Sequence, residues 1–260
     1  MRILFIGDIN GKPGRECVKQ LLPGLKDELA VDFTIGNVEN AASGFGVTPS
    51  VLDELFFYGL DAATSGNHIW DKKEVMNIID SEERLLRPAN YPEGVKGRGS
   101  RVSRTKNGVN IGVLNLEGRT FMTPIDCPFR IGKAEVAKLK KDAKIIIVDF
   151  HAEATSEKNA LAHYLDGSIT ALLGTHTHVQ TADERVFLGG TAYITDAGMT
   201  GPYESVIGIK KEMALERFLT SVKTKFEVAE DGAALAGCLI EADETTGLAK
   251  SIQRIYRPLN

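Results

Sequence analysis

The sequence predicts an α/β fold in four layers, an α/β/β/α sandwich of two mixed sheets flanked by helices. Three observations carry that prediction. Residues 2–80 alternate strand and helix patterns, as parallel strands covered by helices do. Lys144–Phe150 (KIIIVDF) is almost wholly apolar, as expected of a strand buried on both faces. The later chain turns to hairpins and β-rich runs, so antiparallel strands must join the parallel ones.

Residues 2–7 (RILFIG) read as a buried strand, and Gly11, Pro13 and Gly14 open a helix running to Leu29. A short strand follows at Asp32–Gly36. Thr48-Pro49 has the form of an N-cap with proline at the first helical position, starting a helix through Tyr58. Asp61–Ser65 is another strand, with a helix near Lys73–Asp80. Arg101–Thr105 and Val109–Leu116 form a hairpin through Lys106-Asn107-Gly108. After Lys144–Phe150 come a helix near Glu157–Leu165 and a strand at Ile169–Gly174. Arg185–Leu188 and Thr191–Thr195 flank Gly189-Gly190 as a second hairpin. A helix near Lys211–Leu219 precedes three β-rich runs at 221–229, 235–242 and 249–257. No repeat or linker marks a boundary, so residues 1–260 are expected to form one domain, with a small cap excursion near 118–130.

Composition narrows the class. With 260 residues, 43% hydrophobic, the chain can bury a large core without disulfides or a structural metal. No apolar run approaches the roughly 18–20 residues that span a bilayer, and MRILFIGDIN reads as a strand and not as a secretory leader. Three widely spaced cysteines (Cys17, Cys127, Cys238) fit neither a disulfide framework nor a CxxC zinc site, which points to a reducing, cytoplasmic setting. A formal net charge of −4 argues against a stable nucleic-acid complex. The basic stretch 84–106 is read first as a solvated face and second as a rim attracting an anionic substrate.

The polar residues collect where strands end, the usual ligand edge of open α/β folds. Successive strands exit at Gly7-Asp8-Ile9-Asn10, Gly36-Asn37-Val38-Glu39-Asn40, Gly66-Asn67-His68, His151 and Gly174-Thr175-His176-Thr177-His178. Four of the five histidines leave one edge; His163 sits on a predicted helix and reads as packing. A lone Asp or His at such a place is ordinarily a turn former or a hydrogen-bonded core residue. The whole set is different, because crowding carboxylates and imidazoles without a cation costs several kcal/mol in desolvation. Oxygen and imidazole donors without thiolate suit Mn, Fe, Zn, Ni or Co. The donors exceed what one ion needs, and Glu39 can bridge two. Two ions about 3.5–4 Å apart would generate a hydroxide at neutral pH and clamp a phosphoryl group for in-line displacement. His68, beside Asn67, is placed to protonate the leaving oxygen.

Asp8, Glu39-Asn40, Gly66-Asn67-His68, His151 and Gly174-Thr175-His176-Thr177-His178 resemble the pattern of calcineurin-like metallophosphoesterases. Their spacings of 31 (8 to 39), 28 (39 to 67) and 25 (151 to 176) agree with it. More narrowly, GDINGKPGR, GNVENAASGFG, SGNHIWD, GTHTHVQTADER and TDAGMTGPYESVIG resemble the YmdB-like phosphodiesterases over nearly the whole chain. Asp8-Ile9-Asn10 departs from the wider superfamily's Asp-x-His, and Glu39 stands where most members have aspartate. Within the YmdB-like family both departures are the rule. The resemblance implies one metal held by Asp8, Glu39, Asn40 and His178, and a second held by Glu39, Asn67, His151 and His176. It implies His68 as proton donor, iron or manganese as the metals, and cyclic nucleotides (3′,5′ and 2′,3′) as substrates. The expected partner is thus a small phosphoester, with a homo-oligomer left open and no membrane.

Other readings are weaker. Gly7-Asp8-Ile9-Asn10-Gly11-Lys12 fails as a phosphate-binding Walker loop on spacing, and Pro13 replaces the required Ser/Thr. No Gly-x-Ser-x-Gly elbow offers a serine nucleophile. A phosphomonoesterase with the same residues, or a non-catalytic nucleotide or metal sensor, remains as an alternative, decided by loops such as 118–130 and 195–205.

Overall fold

Alternation along the first strand sets the layering. In the computed structural model, which describes residues 1–259, β1 (Arg2–Ile6) sends Leu4 and Ile6 to one side and Ile3 and Phe5 to the other. All four are fully buried, because successive side chains face opposite ways and each face meets a different layer. Leu4 and Ile6 pack on Val18 and Leu22 of α1 (Gly11–Glu28) and Leu52 and Leu55 of α2 (Pro49–Phe57). Thr48 caps α2, its hydroxyl accepting from the Val51 amide. Ile3 and Phe5 join an inner core with Ile111 of β6 (Asn110–Glu117) and Ile147 of β7 (Ile145–His151) in the second sheet. Each fully buried aliphatic side chain of this kind contributes about 1.5–3 kcal/mol.

The first sheet runs β2 (Asp8–Ile9), β11 (Met199–Pro202), β12 (Ala233–Ala242), β1, β3 (Phe33–Asn37), β4 (Ala62–Thr64), with β13 (Ala249–Pro258) on β12. β1, β3 and β4 are parallel, and β12 runs antiparallel to β1 with Cys238 opposite Phe5. The second sheet runs β5 (Ser100–Arg104), β6, β7, β8 (Ala171–Thr175), β10 (Ala192–Ile194), β9 (Arg185–Val186). Its four inner strands are parallel and its edges antiparallel. α3 (Pro128–Leu139) and α4 (Thr155–Leu165) cover its outer face, Val136 and Leu161 packing with Leu114, Val148 and Tyr193. The order helix, sheet, sheet, helix is the predicted sandwich.

Four segments differ from the sequence expectation. Lys73–Asn77 makes one 3₁₀ turn in place of a helix to Asp80, since Val75 is the only member of that turn that is buried. Run 221–229 is not a strand: α5 (Lys211–Thr220) ends at Ser221 with φ 58°, and the chain returns with only an isolated Val228–Ile209 bridge. Residues 195–205, read as a loop, contain β11, which lies parallel to β2 with Met199 opposite Asp8. α3 was not expected; Pro128 starts it and Gly132, Val136 and Leu139 form its buried stripe.

Four of the seven basic residues of the stretch pair with the acids before it. Arg84 pairs with Glu82 at 2.8 Å, Arg98 and Arg101 reach Glu83, and Lys96 reaches Asp80. Arg87 is buried, donating to the Pro88, Val95 and Lys96 carbonyls. His163 lies flat on Phe187, ring centroids 4.3 Å apart. No helix among the described residues is long and apolar enough to cross a membrane.

Candidate metal centre and active site

Parallel strands bring their carboxyl ends to one edge, and the stacked sheets bring two such edges together. Asp8 leaves β1, Glu39 and Asn40 follow β3, Asn67 and His68 follow β4, His151 ends β7, and His176 and His178 follow β8. All eight meet there. Glu39 Oε1 lies 3.1 Å from His151 Nε2 and accepts from Asn40 Nδ2 at 3.0 Å. Its Oε2 accepts from the His68 backbone amide. Asn40 Nδ2 lies 3.2 Å from His178 Nε2, and the His176 amide donates to Asp8 Oδ2 at 3.1 Å. Two donor groups result, Asp8–Glu39–His178 and Glu39–His151–His176, sharing Glu39.

Each imidazole is oriented from its outer nitrogen. His151 Nδ1 faces the Thr175 hydroxyl, which donates to Asp149. His178 Nδ1 donates to the Ile207 carbonyl, His176 Nε2 meets Glu153 at 3.2 Å, and His68 Nδ1 meets Asp71 at 2.8 Å. Such outer contacts fix the tautomer and leave the other nitrogen's lone pair for the centre. Around His151 Nε2, Glu39 Oε1, Asn67 Oδ1 and His176 Nδ1 converge at 3.0–3.1 Å. One proton cannot serve so many acceptors. Asp8 Oδ1, fully buried, has no hydrogen-bond partner at all. Converging lone pairs and an orphaned carboxylate oxygen are what a cation satisfies.

The electrostatics agree. Burial raises the Asp8 carboxyl above its usual range despite nearby His178 and His151. Burial also opposes ionisation of Glu39, but His151, His68 and His176 hold it down at about 2. His151 is buried too, yet Glu39, Asp8 and Asp149 push it up to about 9. Burial, together with the His151 charge, drops His176 to about 3.

A buried polar layer supports the centre. Asp149, the one acid in KIIIVDF, accepts from Asn37 Nδ2 and the Thr64 and Thr175 hydroxyls. Asn115 holds the Ser65 amide and carbonyl ahead of Asn67. Gly66 must lack a side chain, since a Cβ there would sit 2.1 Å from the His151 ring. Glu117, at the end of β6 opposite His151, is fully buried with neither oxygen hydrogen-bonded. Burial, opposed by the His151 charge and the facing Tyr91 hydroxyl and reinforced by Glu39, pushes the Glu117 carboxyl up to about 7.

The centre opens into a cavity of about 270 Å³ walled by His68, Phe45, Glu153, Ile207 and the returning segment Phe226–Val228. Val228 occupies the space left by the missing side chains of Gly11 and Gly44. None of 118–130 lines this cavity. Sequence reasoning missed Asp71, Glu153, Asp149 and Glu117, and placed Asn10 at the ligand edge without giving it a role. Asn10, 4% exposed, also lines the cavity and leaves its Oδ1 unpartnered. Asp71 alone had a readable signal, three residues after His68.

Known proteins resemble this chain over nearly its whole length. A Bacillus subtilis (strain 168) protein named 2′,3′-cyclic-nucleotide 2′-phosphodiesterase is 50% identical over 255 residues, covering 98% of this chain and 96% of its own. A crystal structure of a Thermus thermophilus protein described as hypothetical matches with TM-score 0.94 and 40% identity over the whole of both chains. Another, of a Mycoplasma pneumoniae protein described as a novel phosphatase, matches with TM-score 0.93 and 37% identity over 99% of this chain and 93% of its own. Fold and strand-end chemistry together place the chain among the calcineurin-like metallophosphoesterases, enzymes that hydrolyse phosphoric esters. Within that class it belongs to the YmdB-like protein family, whose model matches residues 4–255.

Proposed function

We propose that the chain is a dinuclear metal-dependent phosphodiesterase that opens cyclic nucleotides, both 2′,3′ and 3′,5′. The carrying observation is the pair of donor groups sharing Glu39, with His68 at the cavity wall beside them. Asp8, Glu39, Asn40 and His178 would hold one cation, and Glu39, Asn67, His151 and His176 the other. The mixed oxygen and imidazole donors suit several divalent transition metals, and the family resemblance favours iron or manganese among them. When bound, two such cations supply charge for the phosphoryl oxygens and a nucleophile at neutral pH.

The chain's own residues do the rest. Asp71 fixes the His68 ring through Nδ1, so Nε2 is the nitrogen that delivers a proton to the leaving oxygen. Phe45 packs edge-on to that ring at 5.0 Å and limits its rotation. The cavity lining includes no Lys or Arg among the described residues, while Glu153 and Glu227 are on it. That wall suits a singly charged diester better than a doubly charged monoester.

The test compares manganese-loaded protein on 2′,3′-cyclic AMP, 3′,5′-cyclic AMP, bis-p-nitrophenyl phosphate and p-nitrophenyl phosphate. Diester turnover is expected, and His68→Ala should lower kcat on the cyclic nucleotides about 10²–10⁴-fold with metal content unchanged. The loss should be smaller for p-nitrophenolate, which needs little protonation to leave. Turnover of the monoester alone would refute the diesterase assignment, and two bound metals with no turnover would favour a sensor.

A further inference from the structure

The turn that carries two of the proposed ligands has an unusual backbone. His176 and His178 have φ of 98° and 63°, a region non-glycine residues seldom occupy. Something must hold them there. Asp8 holds one side through the His176 amide. The other side rests on Asp196, whose Oδ2 accepts both the Thr177 amide at 3.0 Å and the Thr177 hydroxyl at 2.6 Å. Asp196 Oδ1 accepts the Gly198 amide at 2.8 Å, so the same carboxylate ties the turn to the strand paired with Asp8.

Beneath this carboxylate ends Lys158 of α4, its Nζ 2.9 Å from Asp196 Oδ2. Both residues are fully buried. The lysine stem passes against Gly174, where a Cβ would lie 3.0 Å from its Cδ and 1.8 Å from the Thr195 carbonyl oxygen. A buried ion pair adds little net stability, because desolvation offsets its attraction. Its position directly under the turn supplies a different reason for it. Lys158 balances the charge of a carboxylate that must stay dry to hold Thr177, and Thr177 stands between the two histidines.

We infer that Lys158 and Asp196 are a positioning pair that fixes the His176–His178 turn and, through it, the donor geometry of both cation sites. The inference rests on the dinuclear reading above. His176 belongs to one donor group and His178 to the other, so a single shift of Thr177 disturbs both sites together.

Manganese titration calorimetry and the electron paramagnetic resonance spectrum of the manganese-loaded protein test this without an activity assay. The probes are Thr177→Val, which removes one link and leaves the buried pair in place, its control Thr177→Ser, and the charge-neutral double variant Lys158→Met/Asp196→Asn. Loss of such supporting contacts weakens metal binding about 10–100-fold. That loss is expected for the double variant at both sites, with a smaller loss for Thr177→Val and none for Thr177→Ser. Broadened or shifted manganese spectra should accompany it. Wild-type affinity and spectrum in Thr177→Val, or in a folded double variant, would overturn the positioning role. Failure of the wild-type protein to bind manganese would instead overturn the dinuclear reading, and the pair's role with it.

Discussion

Glu117→Gln should stabilise the metal-free protein at pH 8 and leave it unchanged near pH 4. Glu117 lies fully buried at the end of β6 with no hydrogen-bond partner for either oxygen. Burial raises its carboxyl from an ordinary 4.5 to about 7. The folded form therefore keeps its proton up to about pH 7, while the unfolded chain releases it near 4.5. A raised carboxyl gives its full stability below 4.5 and loses it as pH climbs to about 7. At about 1.4 kcal/mol per pH unit, that interval makes the folded form about 3 kcal/mol worse at pH 8 than at pH 4. Glutamine keeps the shape and never ionises. For a chain of this size a gain of about 3 kcal/mol corresponds to roughly 6–12 °C in Tm. Chelator-treated wild type and variant would be melted in parallel at pH 4 and pH 8. Equal melting temperatures at pH 8 would refute the reasoning, since they would mean that burial does not hold the proton on Glu117 in the folded protein.

Two further outcomes concern the centre itself. Glu39→Ala should reduce bound manganese from two equivalents to none, measured by elemental analysis after desalting, because both donor groups include Glu39; retention of both ions would disprove the shared role. Gly66→Ala drives a Cβ to 2.1 Å from a His151 ring held on both nitrogens. It should cost about 1–3 kcal/mol in denaturant unfolding, as overpacking does, and remove the ion on the His151 side while leaving the other; unaltered stoichiometry would count against it.

The site's main donors were readable because each follows a strand, and parallel strands deliver their ends to one place. What supports those donors was not. Asp149 looks like a lone polar residue in an apolar strand, and its role appears only when Asn37, Thr64 and Thr175 close around it. Glu117 lies beside His151 through the pairing of β6 with β7, which no local pattern encodes. The error at 221–229 is instructive. Its alternation is real, with Phe226 and Val228 facing inward, but those side chains fill the cavity wall and the gap at Gly11 and Gly44 and meet no second strand. Period two reports a buried face, not what buries it.

The distance along the chain between partners has a consequence for biogenesis. Asp8 binds the His176 amide across 168 residues, and β1 waits still longer for β12, Arg2 opposite Glu241. At about 5–20 residues per second on the ribosome, the emerging Asp8 is without His176 for roughly ten to thirty seconds. During that time β1, apolar on both faces, has its parallel neighbour but not its antiparallel one. A growing chain therefore cannot assemble the candidate centre early and add the remainder as decoration. Chains released just before β12 is made carry every donor, the last being His178, but keep an open strand edge on β1, which marks them as substrates for chaperones and proteases.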